Sequence, residues 1–116
     1  MKKTKYYLAG KISGDPNYTD KFCDAEFRLE DLAGGGVILN PAVLPDGLED
    51  EDYMAITGRM LYAADVVVML PDWTESLGSK AEYVLARRLG KPVMMMFRDD
   101  AEEWHWEPVD LDRLEL

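Results

Sequence analysis

The sequence predicts one α/β domain: a parallel sheet of four or five strands with helices on both faces, a three-layer sandwich. Three observations lead there. Short apolar runs, Val66–Leu70 above all, are continuous and β-branched, as strands buried on both faces are. Stretches with apolar residues at helical spacing separate those runs. Turn-forming clusters such as Gly34-Gly35-Gly36 and Gly90-Lys91-Pro92 mark the changes from one to the other. At 116 residues the chain is expected to be a single domain, 1–116, able to bury a core without staples.

In chain order, Lys5–Ala9 is a short strand after the basic start Met1-Lys2-Lys3-Thr4-Lys5. Gly10-Lys11-Ile12-Ser13-Gly14 is a glycine-bracketed loop, and Asp15-Pro16 opens a helix with proline at its first position. Tyr18, Phe22, Ala25, Leu29 and Leu32 give that helix a core stripe up to Gly34. Val37–Leu39 is the second strand, and Asn40-Pro41 begins a loop through Pro45-Asp46-Gly47. A second helix covers Asp50–Ala64, with Tyr53, Ile56, Met60 and Ala64 on one face and Leu61 beside it. Thr57 borders that face. Gly58, unusual in mid-helix, suggests a close neighbour. Val66–Leu70 is the third strand and ends at Pro71-Asp72. After the loop Trp73–Ser76, with Ser76 or Ser79 as N-cap, a helix carries Ala81, Val84, Leu85 and Leu89 on its apolar stripe. Val93–Phe97 is a fourth strand whose three methionines read as adaptable core. Beyond Arg98 the pattern weakens. Trp104-His105-Trp106 reads as packing or surface, and Leu111–Leu116 as a short terminal helix or edge segment.

Composition narrows the function. A net charge of −10 argues against general nucleic-acid binding, which draws on neutralisation of phosphates by Lys and Arg. It leaves small molecules open. The single cysteine, Cys23, gives neither a disulfide framework nor a metal cluster. Glu49-Asp50-Glu51-Asp52 reads as acids in the first turn of a helix rather than a metal site. No metal and no cofactor is expected. The lack of a secretory segment or membrane-length apolar run points to a cytoplasmic chain without a membrane partner.

Glu82 is the candidate for chemistry. Its neighbours three and four places away carry no positive charge, so no local ion pair explains it. Near a helix N-terminus the dipole would keep its carboxylate ionised, which suits a nucleophile or a binding anion. The competing reading makes Ser79-Lys80-Ala81-Glu82 a capping box in which Glu82 serves only its own helix. The glycine-bracketed loop lacks the spacing of a dinucleotide fingerprint.

Tyr7-Leu8-Ala9-Gly10-Lys11-Ile12-Ser13-Gly14, Asn40-Pro41 and Ser76-x-Gly78-x-x-x-Glu82, in that order, resemble the nucleoside 2-deoxyribosyltransferase superfamily. The likeness runs from about Lys5 to Val93, and is greatest to small bacterial and phage domains of that superfamily. It extends to 2'-deoxynucleoside 5'-monophosphate N-glycosidases. The resemblance implies a flavodoxin-like (Rossmann-like) strand order 2-1-3-4, with a fifth edge strand beside it. The switch point then brings Gly10–Gly14 beside Pro71–Gly78. It also implies that Glu82 attacks the anomeric carbon of a deoxyribose, forming a glycosyl-enzyme that water or a second base resolves. Tyr7, Gly10, Ile12, Ser13, Gly14, Asn40, Ser76 and Gly78 would then bind substrate.

Two positions separate the branches of the superfamily. Ser76 stands where transferases acting on free nucleosides have aspartate, and a hydroxyl at a helix start favours a 5'-phosphate there. Thr57 stands where relatives have an aspartate that holds the base or protonates it. A threonine is no acid near neutral pH, so Asp65, Asp72 or Glu75 must substitute, or the reaction is slow, or the fold only binds. The expected function is therefore an N-glycosidic-bond enzyme acting on a nucleoside or nucleotide. The rival is a non-catalytic nucleotide-binding protein of the same fold, phage-derived. A homo-oligomer, with Trp104 and Trp106 at the contact, completes the expectation.

Overall fold

A computed structural model of the chain describes residues 2–109. Five strands form one sheet: β1 (Lys5–Ala9), β2 (Val37–Leu39), β3 (Val66–Met69), β4 (Val93–Arg98) and β5 (Trp104–Pro108). Three α-helices accompany them: α1 (Tyr18–Ala33), α2 (Asp50–Ala63) and α3 (Leu77–Arg88). The strands lie in the order β2-β1-β3-β4-β5. β1 pairs in parallel with both β2 and β3, and β3 in parallel with β4. β5 runs antiparallel to β4, so the sheet is mostly parallel rather than wholly so. Among the described residues no helix is long and apolar enough to cross a membrane.

Alternation along β1 sorts the core. Tyr6 and Leu8 join Phe22, Ala25 and Leu29 of α1, with Val68, Leu70 and Met96. Tyr7 and Ala9 join Leu61 of α2, Ala64 and Tyr83 and Ala86 of α3, with Val67, Met69 and Trp73. Helices therefore cover both faces of the sheet. Gly34 ends α1 in the left-handed conformation at φ 71°, its N–H donating to the Glu30 carbonyl.

Several expectations give way to packing. α1 starts at Tyr18 rather than at Pro16, because the Asp15 carboxylate accepts the Asn17 N–H and holds residues 15–17 in a separate turn. In α2 the buried residue is Leu61, while Ile56 is exposed. Gly58 meets no neighbour: a Cβ built there would have nothing within 4 Å. The stripe expected for α3 is on the wrong side. Ala81, Val84, Leu85 and Leu89 are exposed, and Ser79, Tyr83 and Ala86 face the sheet. Tyr83 decides this by stacking on buried Trp73, ring centroids 5.0 Å apart. Burying two large rings outweighs a strip of aliphatic carbons.

Trp104, His105 and Trp106 belong to a strand, not to irregular packing. The two tryptophans are half-buried on the α1 side of the core while His105 and Glu107 are exposed. Trp106 meets Tyr6 with centroids 6.0 Å apart, and the Arg98 guanidinium lies over Trp104. These contacts are within the chain, so the tryptophans are engaged before any partner arrives. The expectation for Leu111–Leu116 lies outside the described residues.

Candidate functional site

A cleft of about 670 Å³ opens at the carboxyl ends of β1 and β3. The loop after β1 reaches it because the chain stays close to β3. The Leu70 N–H donates to the Ala9 carbonyl at 2.7 Å, and a Cβ on Gly10 would lie 2.8 Å from Leu70 Cδ1. Only glycine permits that approach. Gly10, Ile12 and Ser13 thereby line the same cleft as Ser76, Gly78 and Glu82 from the α3 side. Tyr7 contributes from β1 and Thr57 from α2.

Lys21 ties the two loops together. Its Nζ donates to the Lys11 carbonyl at 2.6 Å, to Asp15 Oδ2 at 2.6 Å and to Asp72 Oδ2 at 2.5 Å. Asp72 Oδ1 in turn accepts the Lys11 N–H at 3.1 Å. Asp72 is thus a strut between loops and does not line the cleft. Asp65 is farther still: at the start of β3 it accepts the Lys5 N–H at 2.8 Å, at the opposite end of the strand. Neither carboxylate reaches the part of the cleft that Thr57 lines. Asn40 also serves the fold, accepting the Ala42 N–H at 2.9 Å and donating to Glu26 at 3.2 Å. Gly14 turns at φ 81° outside the lining, whereas Pro41 next to Asn40 is in it.

Glu82 does not cap its helix. The cap is Ser76, whose Oγ accepts the Ser79 N–H at 3.2 Å. Glu82 instead accepts a hydrogen bond from the Tyr7 hydroxyl across the cleft floor. Burial pushes its pKa up to about 7, against the pull of that hydrogen bond. The helix dipole does not keep it ionised as expected. Counting from Leu77, Glu82 lies past the first turn, where the dipole has faded and desolvation prevails. Burial raises the Tyr7 phenol well above its usual value, and the adjoining Glu82 charge adds to this. Thr57, on α2, pulls the phenol the other way and more weakly, and its own Oγ1 donates to the Met54 carbonyl at 3.5 Å.

Sequence reasoning passed over part of the wall. Tyr18, Leu44, Asp50, Tyr53 and Ser79 all face the cleft, as does Glu75, weighed from the sequence only as a substitute acid. Tyr53 is set by its hydroxyl, which donates to the Pro45 carbonyl at 2.6 Å. Ser79 is 1% exposed, and its Oγ has no partner among the described residues. The detectable signal was turn position: all but Leu44 lie at or near a helix start at the carboxyl end of the sheet. Away from the cleft, Asp99, Glu103 and His105 gather one ligand atom each within 4.8 Å at the β4–β5 turn. There His105 Nε2 lies 2.6 Å from Asp99 Oδ2, so the two already satisfy each other.

The architecture is similar to that in a crystal structure of a conserved protein from Enterococcus faecalis V583. The TM-score is 0.59 at 22% identity, over 96% of this chain and 70% of that one, a likeness of fold. No curated protein matches the chain. A family model does match, over residues 4–95, a span that holds β1, every cleft residue named above and the first half of β4. The chain accordingly belongs to the family described as "Domain of unknown function (DUF4406)".

Proposed function

We propose that this chain is an N-glycosidic-bond enzyme of the nucleoside deoxyribosyltransferase kind, on a flavodoxin-like fold, with Glu82 as its nucleophile. One observation carries the reading: a carboxylate is sunk in the floor of a cleft, held by a phenol and spared from capping its own helix. In the ionised form, a Glu82 oxygen attacks the anomeric carbon of a bound nucleoside or nucleotide. The carbon–nitrogen bond breaks with its electron pair leaving on the base, which takes a proton from solvent or from a neighbouring acid. The glycosyl ester is then opened by water, or by the nitrogen of a second base. Of the carboxyls considered in place of an acid at Thr57, Glu75 is the one that lines the cleft.

Thr57 supports the second reading, a non-catalytic nucleotide-binding protein, because a lost general acid typically lowers rates by ~10²–10⁴. The expected homo-oligomer is part of the proposal. Half-exposed Trp104 and Trp106 are one candidate face for it, and α2 and α3 offer a second, where Met54 and Leu85 are exposed beside the cleft.

Incubation with deoxynucleosides and their monophosphates, followed by resolution of free bases, tests the reading. Base release by the parent that Glu82→Gln abolishes, with the fold intact, is the expected outcome. Undiminished release by Glu82→Gln refutes the nucleophile. Thr57→Asp is expected to raise turnover, most for bases that leave poorly without protonation.

A further inference from the structure

The charges lining the cleft are all of one sign. Asp50, Glu75 and Glu82 line it, and no Lys or Arg does so among the described residues. The cations nearest in sequence are turned to other work. Lys21 is shared between Asp15 and Asp72. Lys11 carries its side chain toward Gly14, its Cε 3.9 Å from where a Cβ on that residue would be. Lys80 is on α3 but outside the lining. A phosphomonoester brought into this cleft would add nearly two negative charges beside carboxylates, in a chain whose net charge is −10.

We infer that the ligand of this cleft is an unphosphorylated nucleoside, and that Asp50 and Glu75 select against its 5'-monophosphate. This rests on the N-glycosidic reading of the site and reverses the phosphate preference expected from Ser76. The reversal has a structural basis. The Ser76 Oγ accepts the Ser79 N–H as an ordinary N-cap, so a serine at this position is accounted for without a phosphate. What remains at the start of α3 is a set of donors, with the buried, unpartnered Ser79 Oγ among them. Such donors hold a neutral sugar hydroxyl without needing a counter-charge. A phosphate at that helix start would meet Glu75, immediately before Ser76, with no arginine or lysine to offset it. Carboxylates also suit a nucleoside positively, since they accept from sugar hydroxyls and from amino groups of bases.

The test uses the parent chain and matched pairs of deoxynucleosides and 5'-monophosphates, with ligand-induced thermal stabilisation and base release as readouts. Near 10 mM salt the nucleoside of each pair is expected to bind about tenfold more tightly, and the gap should shrink toward 150 mM as the Debye length falls from about 30 to about 8 Å. Asp50→Asn with Glu75→Gln should narrow the gap at low salt, with the unliganded melting curve reporting that the variant is folded. Either single substitution, expected to narrow it in part, serves if the double variant is not folded. Equal or tighter binding of monophosphates by the parent overturns the inference. So does a gap that none of the folded variants changes. If neither series binds or releases base, the N-glycosidic reading itself has failed and this inference falls with it; if monophosphates alone are turned over, that reading stands and only the inference is lost.

Discussion

A single side chain, Glu82, shows how placement changes chemistry. A carboxyl raised from 4.5 to about 7 holds a proton in the folded protein that the unfolded chain has already released. Between those values the folded state binds more protons than the unfolded state, so stability falls as pH rises; above about 7 the full penalty persists. Glu82→Gln is therefore expected to flatten the pH dependence of the thermal midpoint across that window. At pH 8 it should recover on the order of 2 kcal/mol. Unfolding of both proteins at pH 4, 6 and 8 measures this, and parallel curves would remove burial as the cause. If the proposed attack requires the ionised form, kcat/KM rises with pH through the same region. Tyr7→Phe removes a hydrogen bond that favours ionisation, so the rising limb moves to higher pH; a pH–rate profile of the two proteins reads the shift directly.

Among the elements, two glycines make opposite demands. Gly10 belongs to the crossing of the β1–α1 loop over the end of β3, where an added methyl would press on Leu70 at 2.8–3.0 Å. Gly10→Ala is expected to cost about 1–3 kcal/mol and to shift the loop that lines the cleft. Gly58, by contrast, stands in the middle of α2 with open space around it. Gly58→Ala should stabilise the fold by about 0.5–1 kcal/mol through helix propensity. Chemical denaturation of the two variants checks both signs. Gly58 also lines the groove on the face assigned to a second copy, so this sign belongs to the monomer, and a Gly58→Ala that destabilises only at concentrations where the chain self-associates would support that face.

For the molecule as a whole, the open question of surface is the α2–α3 side. Met54, Tyr62, Leu77 and Val84 are each more than half exposed there, and a narrow groove between the helices shares Met54, Thr57, Gly78 and Glu82 with the cleft. Under the proposed homo-oligomer a second copy covers this side. Sedimentation at micromolar concentration should then show an oligomer that Val84→Glu with Leu85→Lys returns to monomer. A parent that sediments as monomer across that range would count against it, and an oligomer that the α3 variant leaves intact would turn attention to half-exposed Trp104 and Trp106.

Much of this protein was legible in its sequence. β1, β2 and the body of β3 and β4 follow from short continuous apolar runs, β-branched in β2 and β3, bounded by turn residues, and α2 from the acids in its first turn. The pairing of Gly10–Ser13 with Ser76–Glu82 around one cleft follows from those elements once the loops lie at the same end of the sheet. Other features depend on contacts between residues distant in the chain, which local pattern does not encode. The exposed stripe of α3 looked apolar enough to be core, yet Trp73 drew Tyr83 inward and turned that stripe to solvent. Glu82 satisfied a capping-box pattern, and only Tyr7, 75 residues earlier, takes it from that role. Asp72 looked free to act as an acid until Lys21, on α1, bound it. Sequence periodicity determined which segments became strands and helices, because those forms rest on neighbours a few residues apart. Tertiary packing decided which face of each helix was buried and which carboxylates lost their water, because both depend on what the fold brings alongside them.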